Sequence, residues 1–369
     1  MLSPETEIQI IASVTAVACA LPGVYLVLRR MALISDAITH SILFGIVVAY
    51  FFTKELNSPW LIVAAAATGV LTAALSEALS NTRLVYRDAA IGLVFPVLFS
   101  IAIILISRFA GNVHIDTDSV ILGELALAPF DRFMVHGNDL GPISLWVMGC
   151  ILAVNAAALV VFHKELKLAT FDAGLATALG FSPILLHYGL MTLVSVTAVG
   201  AFEAVGSILV VALMIVPPAT AYLLTDRLSR MILWSAGISV AGAIGGFWLA
   251  WKLDASIAGC IAAVQGLLFA AAHLCAPNRG LLAMLMRRQR QALEFAQKML
   301  AIHLLNHENK PEAEIENSVA HLDQHLRWKR DFVKRVVARS ERQGLVIEAD
   351  GRLTLTESGR QLAQESLVA

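Results

Sequence analysis

Before residue 276 the chain is a succession of apolar runs, each about twenty residues long and separated by polar breaks, of which 108–141 and 163–185 are the long ones. A helix rises about 1.5 Å per residue, so a run of that length crosses the hydrocarbon core of a bilayer. Backbone amides cannot stay unpaired in lipid, so these runs must be helical. They cover residues 10–28, 31–52, 60–79, 89–107, 142–162, 186–204, 205–224, 231–251 and 256–274. The boundary near residues 203–206 is poorly marked, because Glu203 is the single charge across it. With 58% hydrophobic and 15% charged residues, an ordinary soluble domain is excluded. The expected fold is an all-α polytopic membrane protein with about nine transmembrane helices over residues 1–280. Residues 281–369 are polar and should form a small cytoplasmic α+β domain.

Charge sets the sidedness. Arg29, Arg30, Arg83, Arg87, Lys164, Lys167, Arg227 and Arg230 fall on one side of a nine-span path. Lys54, Arg108, Arg132 and Lys252 fall on the other. The richer side is expected to be cytoplasmic, which puts the N-terminus outside and the tail inside. The N-terminal segment lacks the basic region and cleavage pattern of a signal peptide, so the first span reads as retained. Cys19, Cys150, Cys260 and Cys275 lie in or beside apolar runs without metal-ligand spacing, so they read as spectators.

Within the second run, Asp36 and His40 are four residues apart and share one helical face. Ionisable groups inside a span point to function. The bland alternative is an Asp–His bond that fixes helix packing. An aspartate oxygen and an imidazole nitrogen together suit manganese, zinc or ferrous iron better than sodium or magnesium. Glu203 is a third candidate ligand, or else a helix cap. Glu77 reads as snorkelling or pairing with Arg83. The acidic stretch 112–139 either raises local cation concentration or is a solvated face. His114 and His136 are accessory candidates within it. Pro217-Pro218 should break a helix, as a gate or a fixed kink.

The loop 164–183 is too polar to span. A short helix over Asp172–Leu179 with Gly180 as terminator fits its pattern. The chain has no Walker-type phosphate loop, so a pump of this kind needs its nucleotide hydrolysed by another subunit. Five stretches then resemble the membrane permeases of zinc/manganese/iron ABC importers. These are LRRMALISDAITHSILFGI, RLVYRDAAIGLVFPVLF, LISRFAGNVHIDTDSVILGELALAPFD, KELKLATFDAGLATALGFSP and AVGSILVVALMIVPPATAYLLTDRLSR. The resemblance covers residues 22 to about 280. It implies a bacterial inner-membrane permease, not an enzyme, with no permanently bound cofactor and Mn2+, Zn2+ or Fe2+ as cargo. The implied partners are ABC ATPase subunits, a second permease of the same or a related kind, and a periplasmic or lipoprotein metal-binding protein. It assigns metal contact to Asp36 and His40. It assigns ATPase coupling to the segment holding Asp172, Ala173, Leu175, Ala176, Leu179 and Gly180.

The tail reads as a helix over 289–306, a basic helix over 327–343, a hairpin of 345–347 with 352–355, and a helix over 356–364 capped by Thr356. His303 and His307 either bind metal or simply pack. The stretch ERQGLVIEADGRLTLTESGRQLA resembles the winged-helix domain of diphtheria-toxin-repressor-type metalloregulators. That resemblance implies DNA binding by a recognition helix, and hence a second reading as a membrane-tethered, metal-responsive DNA-binding regulator. The tail's basic residues equally suit anionic lipid or the ATPase, in regulation or assembly of a transporter.

Overall fold

The computed structural model describes residues 3–55, 58–109, 125–135, 138–308, 310, 316–319, 322, 326 and 328–368. The chain divides into two compact units, Met1–Gly280 and Leu281–Ala369.

In the first unit the helices are α1 (Pro4–Leu28), α2 (Leu33–Thr53), α3 (Pro59–Asn81) and α4 (Arg87–Phe109). A strand pair follows, β1 (Arg132–Val135) with β2 (Asn138–Pro142). Then come α5 (Ile143–Val161), α6 (His163–Phe171), α7 (Ala173–Ala178), α8 (Pro183–Val205), α9 (Ser207–Leu224), α10 (Leu228–Leu253) and α11 (Ile257–Cys275). Among the described residues, nine helices are long and apolar enough to cross a membrane. Their bounds agree with the apolar runs to within a turn, except that α1 begins at Pro4 rather than residue 10. The Ser3 hydroxyl caps α1 by accepting from Thr6 N, which carries the helix through the polar residues Glu5, Thr6, Glu7 and Gln9. The α8–α9 boundary falls on Gly206, whose φ of 80° ends one helix before the next begins.

α1 is the centre of the unit: 72% of its apolar window is buried, against 17% for α5. It packs against α5, α8, α9 and α10. A second group, α2 with α3 and α4, joins it through α8 and α9. Lipid is as apolar as leucine, so close packing and internal polar bonds hold such helices together. Thr72 Oγ1 donates to Ser41 Oγ at 2.7 Å between α3 and α2. Asn155 Nδ2 of α5 donates to Ala18 O at 3.0 Å and to Thr197 Oγ1 at 2.8 Å.

Two sequence expectations are corrected here. The double proline does not break α9, which runs from Ser207 to Leu224 with both prolines inside. Pro218 cannot donate to the Met214 carbonyl, but that oxygen is pressed against the backbone of Gly23 in α1. Glycine lets the two backbones meet there, and the neighbouring helix shields the unpaired oxygen from lipid. The second correction is to an entirely helical membrane part, since β1 and β2 pair antiparallel outside the spans. Asp116, Asp118, Glu124, His114 and His136 lie outside the described residues.

In the second unit, α12 (Leu281–His307) precedes α13 (Arg330–Arg342), β3 (Val346–Ala349), β4 (Arg352–Leu355) and α14 (Glu357–Val368). β3 and β4 pair antiparallel across Asp350-Gly351, both at positive φ, as a two-residue hairpin turn requires. Thr356 Oγ1 accepts from Gly359 N and caps α14. The core joins Leu300 and Leu304 of α12, Val333, Val336 and Val337 of α13, and Val346 and Leu353 of the hairpin. Among the described residues the named elements run helix, helix, hairpin, helix, with α12 eight residues longer at its start than the pattern 289–306 indicates.

Candidate functional site

Asp36 lies in the first turn of α2 and His40 one turn on, with Nε2 to Oδ1 at 3.4 Å. Their side chains are 42% and 41% exposed in the single chain. Ile34, Ala37, Ile38 and Thr39, on the other faces of the same turns, are buried. In the single chain the pair is therefore part-exposed. The His40 ring stacks on Phe95 of α4 at 5.8 Å between centroids and meets Phe99 edge-on at 6.3 Å. These aromatics fix the imidazole plane while leaving the acid and the ring accessible from one side. Two donors one turn apart can hold a divalent ion weakly, which suits passage rather than storage. Glu203 is exposed near the end of α8 and does not join the pair in a three-donor group.

A second polar group sits where the spans meet the Arg-rich side. Arg29, which caps the C-terminal end of α1, donates Nε to Thr170 Oγ1 of α6 at 3.1 Å. Its Nη1 is 3.3 Å from His187 Nδ1 of α8. His187 Nε2 is 3.4 Å from Glu77 Oε2 of α3, and Tyr188 OH donates to the same oxygen at 3.2 Å. Burial pulls the Arg29 pKa below its ordinary value. Glu77 thus lies beside His187 and accepts from Tyr188, where its sequence position indicates snorkelling or pairing with Arg83. The reason is tertiary: α3 packs against α8, which brings the imidazole and phenol to the last turns of α3.

Thr170 connects this network to the segment outside the spans. Asp172 is extended and caps α7, its Oδ1 accepting from Leu175 N at 2.9 Å. Gly180, at φ 85°, closes the turn after α7. Ala176 is buried, whereas Ala173, Leu175, Leu179 and Gly180 are exposed. With Phe171 and Phe181 they leave an apolar edge open at 40–63%. α6, the helix before it, is not marked in the sequence, because the KELKLATF pattern is short and of mixed polarity.

On the opposite face, Arg132 of β1 donates to both oxygens of Glu7 and to Asp139 of β2. Asp139 also accepts from Gly141 N at 2.9 Å. That backbone bond, and then the Arg132 guanidinium, hold the Asp139 carboxyl below the usual carboxylate range. In the sequence Asp139 belongs to the acidic stretch 112–139, where nothing marks Arg132 as its partner.

A helical bundle that keeps an acid and an imidazole part-open on an otherwise apolar span has the makings of a membrane protein that handles a charged solute. The class so defined is that of polytopic membrane transport proteins. Residues 6–276 match the ABC 3 transport family, and the chain belongs to that family. It is similar to the zinc transport system membrane protein TroD of Treponema pallidum (strain Nichols), 45% identical over 361 residues and 98% of each chain. It is 44% identical over 271 residues to the manganese transport system membrane protein MntD of Bacillus subtilis (strain 168), covering 73% of this chain and 92% of that one. The TroD match extends through the C-terminal unit, and the MntD match covers only part of this chain. Among solved structures, PsaBC from Streptococcus pneumoniae in complex with Fab has a TM-score of 0.61 at 24% identity, covering 74% of this chain and 92% of that chain. That likeness is one of fold. The relatives are membrane subunits of transport systems, not enzymes.

Proposed function

We propose that the chain is the permease subunit of an ATP-driven importer of divalent transition-metal ions, with Mn2+, Zn2+ or Fe2+ as cargo. The observation that carries this reading is the part-open Asp36–His40 pair on an otherwise apolar α2. Family membership and the metals named for the relatives support it. The chain lies in a bacterial inner membrane with its N-terminus outside and its tail in the cytoplasm. A periplasmic or lipoprotein metal-binding protein delivers the ion to a path shared with a second permease. Asp36 and His40 touch the ion in transit, and Glu203 meets it at a different point. Two donors bind too weakly to trap it, so the ion can leave inward.

Separate ATPase subunits dock on residues 172–180, where the apolar edge of α7 supplies the contact. Thr170 and Arg29 then carry movement of that segment to the ends of α1, α3 and α8. The C-terminal unit is a winged-helix-like domain that regulates or assembles the transporter.

The reading is tested by metal uptake in cells expressing Asp36→Ala or His40→Ala at wild-type protein levels. Uptake should fall at least roughly tenfold, as loss of one of two ligands implies. Undiminished uptake by both variants would assign the pair to helix packing instead.

A further inference from the structure

A second set of metal-type donors meets in the C-terminal unit. His303 and His307 stand one turn apart at the end of α12, with ring centroids 4.8 Å apart. One ligand atom from each of His303, His307 and Glu316 lies within 4.8 Å of the other two. Among the described residues, this is the one group of three or more His, Cys, Asp or Glu side chains so placed. All three residues are partly buried. His303 Nε2 lies 3.2 Å from the carbonyl oxygen of Glu316. A carbonyl can only accept, so that nitrogen carries the proton in this bond, and in the neutral ring Nδ1 is then the nitrogen that can ligate. An imidazole that donates its far N–H to a backbone carbonyl is in the state that metal-ligating histidines adopt.

We propose that His303, His307 and Glu316 form a binding site for a borderline divalent transition-metal ion, separate from the membrane pair. Two imidazole nitrogens and a carboxylate oxygen match zinc, manganese or ferrous iron and discriminate against calcium and magnesium. Donors about 2.0–2.2 Å from Zn2+ stand about 3.4 Å apart at tetrahedral angles, so rotation of the side chains by about an ångström closes the set. Three protein donors leave a fourth position for water, which keeps the ion exchangeable.

The site's place in the unit gives the ion an effect. Glu316 immediately precedes a segment paired with the hairpin: Leu353 N donates to Asn317 O at 2.9 Å, and Val319 N to Gly351 O at 3.0 Å. The next residue after His307 on the other side, Glu308, binds Arg360 of α14 at 2.6 Å. A bound ion therefore ties the end of α12 to the edge of the β3–β4 hairpin and holds α14 in the same assembly. Binding to the folded form alone stabilises it by mass action. Where the chain releases such ions into the cytoplasm, the site senses the product of transport; that last step rests on the proposed function, and the binding itself does not.

The test uses the full-length chain in detergent, stripped with a chelator and titrated with Co2+ as a visible-absorption probe and Zn2+ as competitor. Wild type and the Asp36→Asn/His40→Asn chain should both show Co2+ ligand-field bands that Zn2+ abolishes. His307→Gln and Glu316→Gln should bind Co2+ at least roughly tenfold more weakly. Zn2+ should raise the thermal midpoint of wild type but not of Glu316→Gln, each read against its own metal-free midpoint. Bands that vanish with Asp36→Asn/His40→Asn, or that survive in both His307→Gln and Glu316→Gln, overturn the site. Uptake is not read, so failure of the transport reading leaves this result standing.

Discussion

Glu7 accepts two bonds from one Arg132 nitrogen, at 2.9 and 2.8 Å, which fastens the first turn of α1 to strand β1. The same guanidinium holds Asp139 of β2, so one cation joins the central helix to both strands outside the spans. Asp139 has a folded pKa below its ordinary value. A depressed carboxyl contributes stability that is present above the unfolded pKa and lost as pH falls through the folded one. Arg132→Gln should therefore lower the thermal midpoint at neutral pH, with the gap to wild type closing in acid below the ordinary carboxylate range. Midpoints in detergent across that range provide the check; a gap that does not depend on pH would show that the cluster's charges are idle.

Gly23 should tolerate no side chain. A Cβ there overlaps the Met214 carbonyl, which is backbone and cannot rotate away. Gly23→Ala is expected to destabilise the bundle by about 1–3 kcal/mol, the usual size of an overpacking penalty. Gly92, with open space around it, is the control, and Gly92→Ala should be nearly neutral. Unfolding in graded denaturing detergent separates the two, and equal midpoints would mean that α1 and α9 do not meet as described.

Glu77 is expected to matter through His187 and Tyr188. Glu77→Gln should cost about 1–2 kcal/mol, as removal of a charged hydrogen-bond acceptor does. Arg83→Ala should leave the thermal midpoint where it was. The reverse order of effects would restore the local Glu77–Arg83 pairing.

Leu175 and Leu179 are 48% and 60% exposed, so the bundle does not need them for its own packing. Leu175→Ser with Leu179→Ser should leave the permease folded and weaken capture of its ATPase about tenfold, the loss of about 1.4 kcal/mol of apolar anchor. Co-purification of the ATPase at matched permease levels gives the answer. Full recovery of the ATPase would move the docking surface away from α7.

The spans were legible because the rule that makes them is local. A run of about twenty apolar residues must be a helix in lipid, whatever its neighbours are. The Asp36–His40 pair was legible for the same reason, since four residues on a helix are one turn by geometry. Asp172 and Gly180 likewise mark the start and stop of a short helix, which the structure shows as a cap at Asp172 and a turn at Gly180. α6 was not legible, because nine residues of mixed polarity carry too little periodicity to be told from a loop.

What only the tertiary structure decided are the contacts between residues far apart in the chain. Pro217-Pro218 reads as a break until Gly23 of α1 is found against the Met214 carbonyl, and Glu77 reads as snorkelling or pairing with Arg83 until α8 brings His187 to it. His303 and His307 announce themselves by spacing, yet their meeting with Glu316 depends on how the chain returns to the hairpin. Helix formation is set by neighbours in sequence, so composition and period determined the elements. Partners of buried polar groups are set by which helices pack together, and that is a property of the assembled bundle alone.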